Sequence, residues 1–159
     1  MSRSAFLNKN LTQTFKGTAM PTTAVNPATE DLGKLVLRSV LAILLLLHGI
    51  SKLSGGIGFI SGMLNNFGLP AFLGYFVYVG EVVAPVLVLV GLWTRPAALV
   101  IAINMVVAVA LVHMPELVQM NKQGGWALEL QGMFLFGALA VALLGAGRYS
   151  IGGIKGKWN

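Results

Sequence analysis

Between Arg95 and Glu116 the chain runs for 20 residues, "PAALVIAINMVVAVALVHMP", with no charged side chain other than a protonated His113. A helix needs about 20 predominantly apolar residues to cross a hydrocarbon core, and this run supplies them. Three further stretches have the same character, at 35–53, 71–94 and 126–147, and Glu81 is the one charge inside the second. The whole chain is 56% hydrophobic and 10% charged, against about half and about a quarter in a soluble domain. Outside the first 34 residues there is too little polar surface to cover a water-facing core. The expectation is an all-α protein, a polytopic membrane four-helix bundle over the spans 35–53, 71–94, 96–115 and 126–147.

Four spans put both ends of the chain on one side. That side collects Arg3, Lys9, Lys16, Lys34, Arg38, Arg95, Arg148, Lys155 and Lys157, leaving Lys52 and Lys122 for the other. The excess of Lys and Arg marks the cytoplasmic face, so N- and C-termini are predicted inside. The net charge of +6 then serves topology and attraction to anionic lipid. No basic stretch is interleaved with exposed aromatics, which argues against nucleic acid as a partner.

The chain has no cysteine, which rules out disulfides, thiol redox motifs, iron–sulfur clusters and cysteine zinc sites within it. Residues 1–32 form an N-terminal extension without the continuous apolar core of a cleavable signal. Leu7, Leu11 and Phe15 recur beside Arg3, Lys9 and Lys16 at helical spacing, so the extension is expected to be disordered or to lie on the membrane surface, with Met20 as an alternative start. Residues 33–153 make up the transmembrane domain, and 154–159 are a basic tail. Between spans 1 and 2, Ile60, Met63, Leu64 and Phe67 follow helical spacing between Gly55-Gly56 and Gly68-Leu69-Pro70. A short interfacial or re-entrant helix is expected there, a connector or a lid.

The informative residues are the titratable ones that these spans carry. Arg38 and Lys52 are separated by 13 residues, about 20 Å of helix, so at least one lies within bilayer depth or snorkels out of it. His48 and Lys52 share a face one turn apart in the outer third of span 1. Glu81 lies near mid-membrane in span 2, His113 at the outer end of span 3, and Glu129 in the first turn of span 4. A charge in lipid costs several kcal/mol, roughly 2.5–3.5 on insertion scales, so these groups are expected to turn inward and meet. Pro85, four residues after Glu81, has no N–H for the carbonyl of residue 81, which loosens the helix at the acid. Tyr75 and Tyr78 precede Glu81 on about the same face.

Three readings follow from these residues. The pairs, Lys52–Glu81 or His48–Glu81, hold helices together. Alternatively, Glu81 and His48, with Lys52, Tyr78, His113 and Glu129, line an outward-facing pocket that relays protons or contacts a quinone head group. The third is a metal or haem held by His48 and His113, which is the weakest, since no ligand motif surrounds them. Asn104, half a turn around from His113, is assigned to helix packing.

The ordered set Arg38, Gly49, Lys52, Leu69-Pro70, Glu81, Gly91, Thr94-Arg95, His113, Glu129 and "GAGRYSI" at 145–151 resembles the DoxX/DoxD family of small four-helix membrane proteins. The resemblance implies a bacterial-type inner-membrane, multi-pass protein. Through the DoxD branch it implies a link to thiosulfate:quinone oxidoreductase and respiratory oxidase complexes. The expected role is a subunit or accessory of a quinone-linked redox system with a membrane-protein partner or a second copy of itself. The alternative is a non-enzymatic assembly factor, chaperone or small-solute permease. The charge distribution predicts that cysteines introduced near Gly56 and Lys122 react with a membrane-impermeant thiol reagent from outside. One introduced near Arg95 should not, and outside labelling there would reverse the assigned orientation.

Overall fold

The chain's first helix begins at an asparagine–proline pair. In the computed structural model, which describes residues 26–153 and 156–159, the Asn26 side chain accepts from the Ala28 N–H at 3.0 Å. Pro27, with its preset φ and no N–H to satisfy, opens helix α1 (Pro27–Gly55). The helix starts eight residues ahead of the apolar stretch that predicted it, because this cap and the Lys34–Glu30 pair at 2.6 Å sustain polar first turns. Residues 27–32 therefore belong to α1 and not to the extension; residues 1–25 and 154–155, with the expected surface helix and part of the basic tail, lie outside the described residues.

Gly56, at φ 78°, turns the chain out of α1 and into the short helix α2 (Gly58–Asn66), in the connector where one was expected. Its Ile60 and Leu64, with Ile57 just before it, close on Gly74, where a β-carbon would sit 3.2 Å from the Ile57 methyl. Helix α3 (Ala71–Val90) begins as a 3-10 turn, passes through a π segment at Val79–Val83 and returns to α geometry at Ala84–Val90. Helix α4 (Thr94–Glu116) repeats the device with a π segment at Val109–His113. Helix α5 (Glu129–Leu144) has 16 residues, about 24 Å against a core of about 30 Å. It is shorter than the stretch 126–147 that predicted it, because Gly145 at φ 77° stops it at one end. Among the described residues there is no β-strand, and α1, α3 and α4 are each long and apolar enough to cross a membrane.

α1 packs on α3 and α5, α3 on α4, and α4 most extensively on α5, so the four long helices close a ring. The interior is built from Leu41, Leu45, Val88, Ile101, Met105, Phe134 and Val141 with six alanines between them. Small residues bring helices close where lipid offers no hydrophobic drive toward association. The outer face of α1 carries Val36, Val40, Ile43, Leu47 and Ile50, all exposed at helical spacing, as a lipid-facing stripe requires.

One end of the ring is tied by Arg38, which is 2% exposed. Its guanidinium donates to the Val88 and Leu89 carbonyls at 2.8 and 2.7 Å and to the carbonyl of Tyr149. The first two belong to the last turn of α3, where carbonyls run out of helical donors; the Val88 carbonyl also accepts the Gly91 N–H at 3.2 Å. Gly91, in the left-handed conformation, leaves room for this: a β-carbon there would lie 2.8 Å from Arg38 Nη1. Ile151 and Gly152 then donate to the Val90 and Gly91 carbonyls at 3.0 Å each, which stitches the "GAGRYSI" segment to the same end. Arg38→Met should lower the unfolding free energy in detergent by on the order of 3 kcal/mol, since it strips donors from buried carbonyls. Val36→Ala on the lipid face should be near neutral, and an equal effect of the two would remove Arg38 from this role.

Candidate functional site

Glu81 is 3% exposed and sits in the middle of the π segment of α3. There the Ala84 N–H reaches back to the Val79 carbonyl, a five-residue step. Pro85 follows with no N–H, so a carbonyl in this turn is left without a backbone donor, the irregularity that the proline foreshadowed. The Lys52 ammonium forms an ion pair with Glu81, bonding to both carboxylate oxygens. The Tyr78 hydroxyl donates to the Lys52 carbonyl at 3.1 Å, tying the last turn of α1 to the turn that precedes the acid. The pair is lopsided in burial: the lysine side chain is 33% exposed and the glutamate 4%. One partner faces the interior and the other reaches the surface.

Close approach of α1 and α3 makes this pair possible. At Gly49 a β-carbon would lie 2.7 Å from the Val82 side chain and 2.9 Å from the Glu81 carbonyl carbon. Only a glycine lets the backbones touch here, one turn below Lys52. On the opposite flank of the π segment, the side chain of Asn104 from α4 occupies the space that a Gly80 side chain would fill, with Asn104 Oδ1 2.8 Å from such a β-carbon. The Asn104 Nδ2 is buried and has no hydrogen-bond partner. Asn104 thus packs on α3 at Gly80, the residue before Glu81, in the helix-packing role assigned to it, and its position along the sequence did not reveal that neighbour. The signals were the lone amide in a charge-free run and the glycine next to the acid.

The remaining sequence candidates lie elsewhere. His48 is exposed, and its ring meets Phe134 edge-on with centroids 5.6 Å apart, so of the two basic partners foreseen for Glu81 the lysine takes the contact. His113 closes the end of α4: its Nδ1 lies 2.9 Å from Glu116 Oε2 and its Nε2 3.2 Å from Gln131 Nε2. Glu129 is exposed and accepts the Trp126 backbone N–H at 3.1 Å, a helix-start contact. Among the described residues no three histidine or carboxylate side chains gather in reach of one metal ion.

A carboxylate and an ammonium held together in a low-dielectric interior can share a proton and pass it on, and they can also simply lock two helices. Lys52→Met strands a buried acid, whereas Glu81→Leu leaves a lysine that can turn to water. Each should lower stability, by about 3 kcal/mol for the former and less for the latter, and the double variant should be more stable than Lys52→Met alone. Unfolding of the four proteins in one detergent measures the coupling, and strict additivity would mean that the pair contributes nothing.

The DoxX family model matches residues 33–114, from the first turns of α1 to the end of the π segment of α4. That match takes in Lys52, Tyr78, Glu81 and Asn104 and leaves α5 outside. A curated protein of Bacillus subtilis (strain 168), named "Putative oxidoreductase CatD", is 30% identical over 105 residues, 66% of this chain and 78% of that protein. No solved structure matches the chain. With more than half of its length under the family model and a relative aligned over most of its own length, the chain belongs to the DoxX family.

Proposed function

We propose that this protein is a component of a quinone-linked redox system in a bacterial-type inner membrane, where Glu81 and Lys52 exchange protons with a quinone bound beside the π segment of α3. The observation that carries the proposal is the asymmetric ion pair, a buried acid whose basic partner is one-third exposed. The oxidoreductase name of the Bacillus relative supports the reaction class.

A quinone held there accepts two electrons and two protons. The proton that the ligand takes starts on the Lys52 ammonium and passes through the Glu81 carboxylate, at the interior end of the pair. Lys52, anchored through its carbonyl by Tyr78 and reaching the surface, restores it from water. No cysteine is available in these 159 residues to carry electrons, so they come from a membrane-protein partner. With both termini cytoplasmic, the Lys52 end faces outward and draws its protons from that side.

The test is a quinone with a short chain, decyl-ubiquinone or its naphthoquinone analogue, added to the protein in nanodiscs. It should raise the unfolding temperature of the wild type and have much less effect on Glu81→Gln that still inserts and folds. A wild type indifferent to both quinones, isolated with a stoichiometric partner protein and no visible chromophore, would favour the assembly-factor reading, in which the pair only joins helices.

A further inference from the structure

The end of the ring that Arg38 ties is the strongly basic one. Lys34, Arg38, Arg95, Arg148 and Lys157 gather there against Glu30 and Asp31, five described cations to two acids. Two of the cations, Lys34 on α1 and Arg95 on α4, face each other across a cavity of about 160 Å³, which Asp31, Leu144, Gly147 and Asn159 also line. The "GAGRYSI" segment passes along it. At Gly147 a β-carbon would lie 3.3 Å from Lys34 Cδ, and at Gly145 3.3 Å from Arg95 Nε. Both glycines have positive φ, so at these positions the segment runs close to the two cations without placing a side chain between them.

The acids beside the cavity are engaged. Asp31 accepts the Arg148 N–H at 3.2 Å and lies 3.5 Å from Arg148 Nε. Glu30 pairs with Lys34 at 2.6 Å, but its side chain is 54% exposed and can turn to water. Arg95 uses only Nε, which donates to the Asn159 carbonyl at 3.0 Å. Among the described residues its two terminal nitrogens have no hydrogen-bond partner, and they form a fork that matches two oxygens of a phosphate.

The surroundings of the cavity belong to the membrane. Leu144, its apolar wall, is exposed, and so are Leu99 and Ile103, which follow Arg95 on α4 at four-residue steps. Trp93 and Tyr149 are exposed at the same end, and such side chains favour the headgroup level of a bilayer. The paired cations thus stand at the head of a lipid-facing stripe.

We infer that this cavity holds the phosphate of an anionic phospholipid, clamped between Arg95 and Lys34, with an acyl chain along Leu99 and Ile103. The inference is independent of the quinone reading, which concerns the Glu81 end of α1 and α3. A free anion would use the same two cations but gain nothing from the apolar stripe below them. A lipid uses both, and the excess of positive charge favours one with a net negative headgroup.

The test is a titration of palmitoyl-oleoyl phosphatidylglycerol into the protein in dodecyl maltoside, with the fraction carrying a single lipid read by native mass spectrometry. Phosphatidylcholine with the same chains should bind at least about fivefold more weakly. Arg95→Gln should raise the apparent Kd for phosphatidylglycerol about fivefold, whereas Lys157→Gln, which removes an equal charge outside the cavity, should raise it by less than about twofold. Glu30→Gln releases Lys34 and should lower the Kd by about twofold or more. That variant keeps both cations and the Asn159 contact, so it tests the site even if Arg95→Gln fails to fold. Inorganic phosphate at the lipid's own concentration should not displace it.

Equal losses in Arg95→Gln and Lys157→Gln mean diffuse attraction to a basic end and overturn the site. Binding unchanged or weakened in Glu30→Gln overturns the two-cation clamp. Displacement by inorganic phosphate makes the cavity a free-anion site and overturns the lipid assignment, as does equal affinity for phosphatidylcholine.

Discussion

Hydrocarbon provides no hydrogen-bond partners, and most of this structure follows from where its charges and free backbone groups find substitutes. Two basic side chains on α1 solve the problem differently. Arg38, with a planar fork of donors, takes the carbonyls at the end of α3 and at Tyr149. Lys52, a point charge on a flexible stem, takes a carboxylate. Both bind α1 to α3, one at each end of their contact, and the register of the two helices is set between them. Gly49, one turn from Lys52, allows the backbones to approach at Glu81 and Val82 as closely as the ion pair demands.

Regular helices would not place these groups as they are placed. Each of the two π segments, at Val79–Val83 and Val109–His113, ends two residues before a proline, Pro85 or Pro115. A proline cannot supply the N–H that the preceding turn expects, and widening that turn absorbs the mismatch. The first π segment carries Glu81 and the second ends on His113. Local loosening of the helix and a titratable side chain therefore coincide twice. At Glu81 the result is a turn with the acid on the α1 face and Gly80 against Asn104 on the α4 face.

Several of these features were legible in the residues. The lysine four residues after His48, the acid in an otherwise apolar span and the proline after it led to the Lys52–Glu81 pair and to the distorted turn. Other candidates fell away because sequence position gives depth but not direction. His48 and Lys52 share a face by spacing, yet the lysine stem is long enough to bend toward Glu81 while the imidazole meets the ring of Phe134. Glu129 sits at a helix start, where a nearby backbone N–H outcompetes any distant partner. Asn104 was assigned to helix packing, but which helix it packs on, at Gly80 of α3, was not legible because that neighbour lies on another segment.

The sequence by itself determined that this chain is helical and membrane-bound, since long apolar runs broken by few charges leave the backbone little else to do in lipid. It also determined that the few charged groups inside those runs had to be matched, because the cost of leaving one bare exceeds what a single contact returns. Only the tertiary structure decided which group matched which. Those pairings depend on how closely two helices approach at a glycine, on which face a π turn rotates its side chain toward, and on where a shorter fourth helix stops. These are properties of packing between distant segments, and no spacing within one segment encodes them.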